Sequence, residues 1–507
     1  MKKQIITILG AALLMQACSS KLDLTPISSL SNESYWKTPD QYDAFVTGVH
    51  TAFRNNNSAF QSLGEMRSDI FGTETALGPS FTGEATQGTE RMWLQTMDLD
   101  APGVSNFGGF YFNINQINLL ISKASSTNLL TAANKNYYLG QAYGMRAFYY
   151  FQLLRSWGNV LINTTPSTNI DISNLAKAAS PAEDVMKLIK ADLDSSANNF
   201  GTDYTFRNQK GFWSKAATQM LKAEVYLWTS YRGGGNADAT IAKNALTDIQ
   251  TNVPSLGLMD NFTDVFSSAG KGNKEIIFAI RYKLNEATIG FIPSLFVPQS
   301  GLIANFYDSL ANRQFDVATD NWGGLLRAPV KVATFRQYSD ADSRKYATIQ
   351  PAYTKSGTTY TITGAFAKKY QGEQNAGARA YTNDFPIYRY ADLLLLLAEC
   401  KVLLGEDPAA EINKVRARAY GVNYTNAYAY PNQKVDADPK EALLRERLLE
   451  FVFEGKRWYD LRRMGDNYVY EHTTLKPAEA YKLLWPVDRN SLTNNRSLVQ
   501  TPGYAQF

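Results

Sequence analysis

A chain of 507 residues, 44% hydrophobic and 19% charged, carries enough apolar material for a large core, which excludes a disordered or low-complexity protein. Its formal charge is only +4, and Lys2 and Lys3 supply part of that. So even a balance argues against a nucleic-acid partner or a basic membrane-binding surface.

In chain order, residues 1–17 have the layout of an export signal: Lys2 and Lys3, an apolar run from Ile5 to Leu14, then small or polar residues up to Ala17. That run is too short to cross about 30 Å of hydrocarbon. The later "DLLLLLAECKVLLG" (392–405) is also short and carries Glu399 and Lys401, so no spanning helix is expected in the mature chain. Cys18 follows Ala17 directly. It fits either an incidental residue near the cut or the acylated cysteine of a bacterial lipoprotein, although Met15 and Gln16 depart from the commonest residues before such a site. Acylation would leave Cys400 as the only other cysteine and rule out an intrachain disulfide. Residues 18–37 would then be a tether.

Helix-start punctuation comes next. Thr38-Pro39-Asp40-Gln41, Ser180-Pro181-Ala182-Glu183 and Asp438-Pro439-Lys440-Glu441 each offer an N-cap oxygen, a proline at the first helical position and Gln or Glu at the third. Asp407-Pro408 is a fourth start. Phe110, Ile114, Ile117, Ile121 and Ala124 recur at helical spacing, and residues 134–157, 212–231, 390–404 and 441–464 behave similarly. Gly158, Gly405 and Gly465 stand where C-terminal caps belong. The scaffold is therefore predicted to be mainly α-helical. Residues 58–109 and 283–384 differ: they are rich in Gly, Ser, Thr, Asn and aromatics, and "TTYTITGAF" (358–366) reads as a strand. Loops of this length point to function, and their aromatic content to order. No strict internal repeat is visible.

Chemistry is sparse. His50 and His472 are the only histidines, both expected to be ordinary surface or core residues. There is no HExxH, zinc-spaced Cys/His cluster, GxSxG elbow or phosphate loop, which disfavours metal hydrolases, serine hydrolases and nucleotide-dependent enzymes. No cofactor is expected. In "MDLDAPG" (97–103), Asp98 and Asp100 sit where a calcium loop begins, but Pro102 occupies the third ligand position, so a turn is favoured. A glycosidase's carboxylate pair leaves no spacing signature.

The distinctive resource is aromatic: 8 Trp, 30 Tyr and 26 Phe. Such rings can bury apolar sugar faces or peptide side chains while polar tips find hydrogen bonds. Those in 149–157 and 223–228 fall on predicted helices and are expected to pack the core. Trp93, Trp322 and Tyr307 fall outside predicted helices and are the candidate ligand contacts, with Arg67 and Asp69 of "GEMRSDIFG" as polar anchors. The charge-dense "ERLLEFVFEGKRWYDLRRMG" (446–465) has Glu446, Glu450 and Glu454 at four-residue spacing, with Arg447, Arg457, Arg462 and Arg463 available as partners, and is expected to be structural ion pairing.

Taken together, "CSSKLDLTP", "ESYWKTPDQYDAFVTGVHTAF", "GQAYGMRAFYYFQLLRSWGNV" (140–160), "WSKAATQMLKAEVYLW" (213–228), "YRYADLLLLLAECKVLLGEDPAAEINKVRARAYG" (388–421), the 446–465 segment and "LLWPVDRNSLTNNRSLVQTPGY" (483–504) resemble the SusD/RagB nutrient-binding outer-membrane lipoproteins of Bacteroidetes. Their order along nearly the whole mature chain makes the match specific. The departures are "GNVLI", where a proline usually follows the valine, and "QTPGY", where "QNPGY" is commoner.

The resemblance implies one α-helical domain over 38–507 with four tetratricopeptide-like helix pairs and an irregular, loop-rich ligand-binding face. It divides into an N-terminal part to about 282, an insert at about 283–384 and a C-terminal part from about 385. It also implies a non-catalytic lipoprotein facing the cell exterior. Such a protein binds oligosaccharide, or alternatively oligopeptide, and passes it to a SusC-like TonB-dependent transporter. A secreted polysaccharide hydrolase and a purely structural helical scaffold are the readings from other classes.

Overall fold

The computed structural model describes residues 35–73, 87–167, 176–432 and 434–507; Cys18, the export signal and most of the tether lie outside the described residues. The long helices are α1 (Pro39–Asn55), α2 (Asn57–Glu65), α3 (Phe107–Ser126), α4 (Ala132–Trp157), α5 (Ala182–Phe200), α6 (Lys215–Thr229), α7 (Gly235–Asn252), α8 (Tyr390–Leu404), α9 (Ala409–Tyr420), α10 (Pro439–Phe451) and α11 (Arg457–Met464). α1 packs on α3, and from α3 to α9 each helix packs on the next. The apolar spacing in α3 does bury one face: Phe110, Ile114, Ile117 and Ala124 are fully enclosed.

The caps show which start signals act locally. Asp438 accepts hydrogen bonds from the Lys440 and Glu441 amides, and Gln41 Oε1 accepts the Lys37 and Thr38 amides ahead of α1. Ser180 departs from expectation: it forms a bridge with Val160, Pro181 becomes the N-cap of α5, and the Ala182 amide is met by Asn159 Oδ1 at 2.9 Å. The helix expected from residue 212 begins at Lys215, capped by Ser214. Residues 58–65, expected to be irregular, belong to α2.

The segment 441–464, continuous by periodicity, is broken between α10 and α11. Phe453 and Gly455 take positive φ, and their amides donate to the buried Glu65 carboxylate at 2.8 and 3.2 Å. A tertiary acceptor thus replaces the helical one. The approach is so close that a Cβ on Gly64 would lie 1.8 Å from the Gly455 carbonyl oxygen.

Strand β1 (Ile276–Ile280) pairs antiparallel with β8 (Phe385–Arg389), both buried throughout. Residues 281–384 therefore leave the helical body through one strand and return through its neighbour. Within that excursion β2 (Tyr307–Asp308), β3 (Arg313–Gln314), β4 (Ile349–Ser356) and β5 (Thr359–Ala367) form a sheet in the order β3-β2-β4-β5, and β6 (Glu373–Asn375) pairs with β7 (Ala378–Ala380). The strand expected at 358–366 is β5.

Buried charges join the excursion to the helices. Glu450 binds Arg344 at 2.8 Å, Arg389 at 2.6 Å and Arg418. Glu454 takes Arg389 and Lys369, and Glu446 takes Arg344 and Arg416. The ion pairing expected of this segment is present, but its three glutamates find their partners in distant segments. Its own arginines bind both within and beyond the segment: Arg447 and Arg463 share Asp460 inside it and reach Asp392 and Glu399 outside it, and Arg457 binds Asp69.

Candidate functional site: a polar cleft beside the irregular region

Most of the residues nominated from sequence as ligand contacts are part of the interior. Trp93 is 5% exposed, and its carbonyl accepts a hydrogen bond from Thr474. Trp322 is 6% exposed, with Phe366 at its edge and the Arg379 guanidinium 4.1 Å over its ring, so its stacking face is occupied. Arg67 is fully buried between Trp458 and Trp485, and donates to Gln95 Oε1 and to the carbonyls of Leu484 and Lys482. Burial brings its pKa down to about 9.

Asp69 forms a bidentate pair with Arg457 at 2.8 and 2.7 Å, and His472 lies 3.7 Å away. Burial alone would raise the Asp69 pKa, but Arg457 holds it below the usual value. Arg67 and Asp69 thus clasp the chain after α2 to α11 and the C-terminal segment. Asp98 makes the turn: it accepts the Asp100 and Ala101 amides and pairs with Arg91, while Asp100 pairs with Arg489. Among the described residues, no group of three or more His, Cys, Asp and Glu side chains is placed to hold a metal ion. Tyr307 differs from the other aromatic nominees, standing half-buried on β2 and registered opposite Tyr353 of β4.

A cleft of about 790 Å³ lies elsewhere, between α1, the 208–212 turn, the chain leaving β1, the 268–271 loop and the β6–β7 region. α1 supplies Thr47, His50, Thr51 and Arg54 at helical spacing, so that one face of this helix forms a wall. The Thr47 and Thr51 hydroxyls donate back to carbonyls one turn earlier, leaving oxygen lone pairs as acceptors.

His50 is locked. Its Nδ1–H donates to the Val46 carbonyl at 2.9 Å, Nε2 accepts the Trp213 amide at 3.0 Å, and its ring lies 4.5 Å from that of Phe212. Burial lowers its pKa to about 4 against the smaller opposing effect of the Val46 bond. The ring is therefore neutral at physiological pH with both nitrogens engaged, which suits a positioning group better than a general base.

Charge in the cleft is mostly paired. Arg54 binds Glu286 at 2.6 Å, Arg281 binds Asp384 and the Asn208 carbonyl, and Lys271 donates to the Tyr282 carbonyl. The Thr382 hydroxyl donates to Glu373 at 2.8 Å and meets Ser268 at 3.4 Å. Ser268 and Glu373 also border a second hollow of about 570 Å³. Hydroxyls, amides and paired ions around an open trough suit a neutral or mixed-polarity, polyhydroxylated ligand held by many hydrogen bonds.

Sequence reasoning missed this cleft because its walls come from five separated segments. Its one local signal is the Thr47, His50, Thr51 and Arg54 stripe on the polar side of an amphipathic helix.

Comparison with known proteins fits the fold just described. Residues 333–504 match the family model described as the SusD family, and residues 22–227 match one described as starch-binding associating with the outer membrane. SusD-like protein P38 of Formosa agariphila is 27% identical, covering 97% of this chain and 96% of its own. Among solved structures, B. fragilis NanU is 45% identical with a TM-score of 0.88 over 95% of this chain and 99% of its own. A SusD superfamily protein from Bacteroides vulgatus is 42% identical with a TM-score of 0.85 over 93% of this chain and all of its own. A laminarin binding SusD-like protein, 21% identical with a TM-score of 0.71 and covering 92% of this chain, shares the fold.

Proposed function

This chain belongs to the SusD family, and from that premise we propose that it is a non-catalytic surface protein that binds oligosaccharide in the α1 cleft and delivers it to a SusC-like TonB-dependent transporter. The observation that carries the cargo assignment is the cleft itself, about 790 Å³ and lined by hydroxyls, amides and paired ions. The description of the matched N-terminal model, starch binding in association with the outer membrane, supports the same reading. A locked, neutral His50 in the wall favours capture over chemistry.

Calorimetry against matched panels of oligosaccharides and oligopeptides tests this reading. Saturable binding of a sugar is expected, and Thr51→Trp, which projects a large ring from α1 into the cleft, should abolish it. Saturable peptide binding in the same cleft would transfer the role to oligopeptide, binding of neither class would end the proposal, and turnover of a glycan would make the protein a hydrolase.

Attachment to the outer membrane, facing the cell exterior, is assigned to acylated Cys18. Because one acyl chain holds a protein only marginally, the several chains of a bacterial lipoprotein would anchor it without a spanning segment. Among the described residues no helix is long and apolar enough to cross a membrane. Labelled palmitate should enter the wild-type protein and be lost in Cys18→Ala; label retained in the variant would contradict the anchor.

A further inference from the structure

On the sheet of the irregular region, the register gathers tyrosines on one face. Tyr307 stands opposite Tyr353, Tyr353 opposite Ile362, and Lys355 opposite Tyr360, and directly opposed residues project to the same side. The β4–β5 hairpin is buried at its root and exposed at its tip, so this face emerges from the core just where the tyrosines begin. Tyr360 meets Tyr307 and Tyr353 edge-on, each at 6.1 Å between ring centres, and the Lys355 ammonium lies 5.0 Å from the Tyr360 ring.

Cross-strand aromatic pairs alone would be ordinary hairpin stabilisation. Here, however, a second wall faces them: Phe335 and Tyr346, in edge contact at 5.6 Å, come from the short helices Val332–Arg336 and Arg344–Thr348. Tyr353, Tyr360 and Ile362 on one side and Phe335 and Tyr346 on the other flank an open groove of about 540 Å³ that shares no lining residue with the α1 cleft. Asp340, 89% exposed at its side chain and paired with Lys345 at 2.5 Å, stands on its border. Tyr346, Tyr353 and Tyr360 all line the groove and are only half-buried.

We propose that this tyrosine-walled groove is a second saccharide-binding surface, which holds a further stretch of a glycan chain too long for the α1 cleft alone. The inference rests on the oligosaccharide reading of the cleft. Pyranose rings have apolar faces that stack on aromatic plates, while their hydroxyls need rim partners of the kind Asp340, Lys345 and the tyrosine hydroxyls provide. Rings fixed by strand register lose little conformational freedom on binding.

Native gels cast with starch, laminarin, xylan or pectin test the groove, with short-oligosaccharide calorimetry read in parallel on the same proteins. At least one polysaccharide should retard the full-length protein. Tyr353→Ala/Tyr360→Ala should weaken that binding by about tenfold or more, while short-oligosaccharide binding in the cleft stays unchanged. Tyr353→Phe/Tyr360→Phe should keep most of the retardation, since the plates remain. Tyr346→Ala, on the opposite wall, should reproduce the loss without touching the hairpin. Retardation equal to wild type in both alanine variants, or none with any polysaccharide, would overturn the groove. Failure of the cleft reading would show separately, in the calorimetry.

Discussion

At the scale of single residues, burial has turned charged groups into fixed parts of the frame. Glu450 is enclosed by Arg344, Arg389 and Arg418, and although burial would raise its pKa, these three cations hold it far below the usual carboxylate range. Removing one partner from a buried network leaves its counter-charges stranded, so Glu450→Ala should lower unfolding stability by about 3–5 kcal/mol in denaturant titrations; a loss under about 1 kcal/mol would contradict a network role. His50 gives a pH signature. Its pKa is about 4 in the fold against 6.5 for an unhindered ring, so the unfolded chain binds the proton more readily between those values. Stability carried by neutral His50 is present above about pH 6.5 and lost as pH falls towards 4, up to about 3 kcal/mol in all. His50→Gln should flatten the stability profile across that window, and an unaltered slope would remove His50 as its source.

At the scale of elements, the local signals were largely legible. Apolar spacing located α3 and α8, and the Asp438 cap located α10, because each depends on residues within a turn or two of one another. The interruption between α10 and α11 was not legible, since its cause is Glu65, nearly four hundred positions away in the chain. That junction makes a sharp prediction. Gly64→Ala would drive a methyl into the Gly455 carbonyl, and because the atoms met are backbone, relief requires moving α2 away from the α10–α11 junction. A stability loss of about 3 kcal/mol or more is expected from the resulting overpacking, read as a lowered melting temperature; a melting temperature within a degree or so of wild type would mean that the two backbones part easily.

At the scale of the whole molecule, α3 to α9 run in chain order as a packed series, while 281–384 departs and returns through the β1–β8 pair and carries the tyrosine groove. The sequence by itself determined the helical scaffold, the position of most caps, the irregular stretch and the family, because periodicity, capping and the order of motifs are properties of neighbours along the chain. Only the tertiary structure decided which aromatics are left open to solvent. Trp93 and Trp322 lie outside long helices, as Tyr307 does, yet the first two are buried and the third stands on a half-open sheet face. Exposure is set by what packs against a ring, and those partners come from anywhere in the chain. Arg67, which meets the carbonyl of Leu484 across 417 positions, shows how far that reach extends.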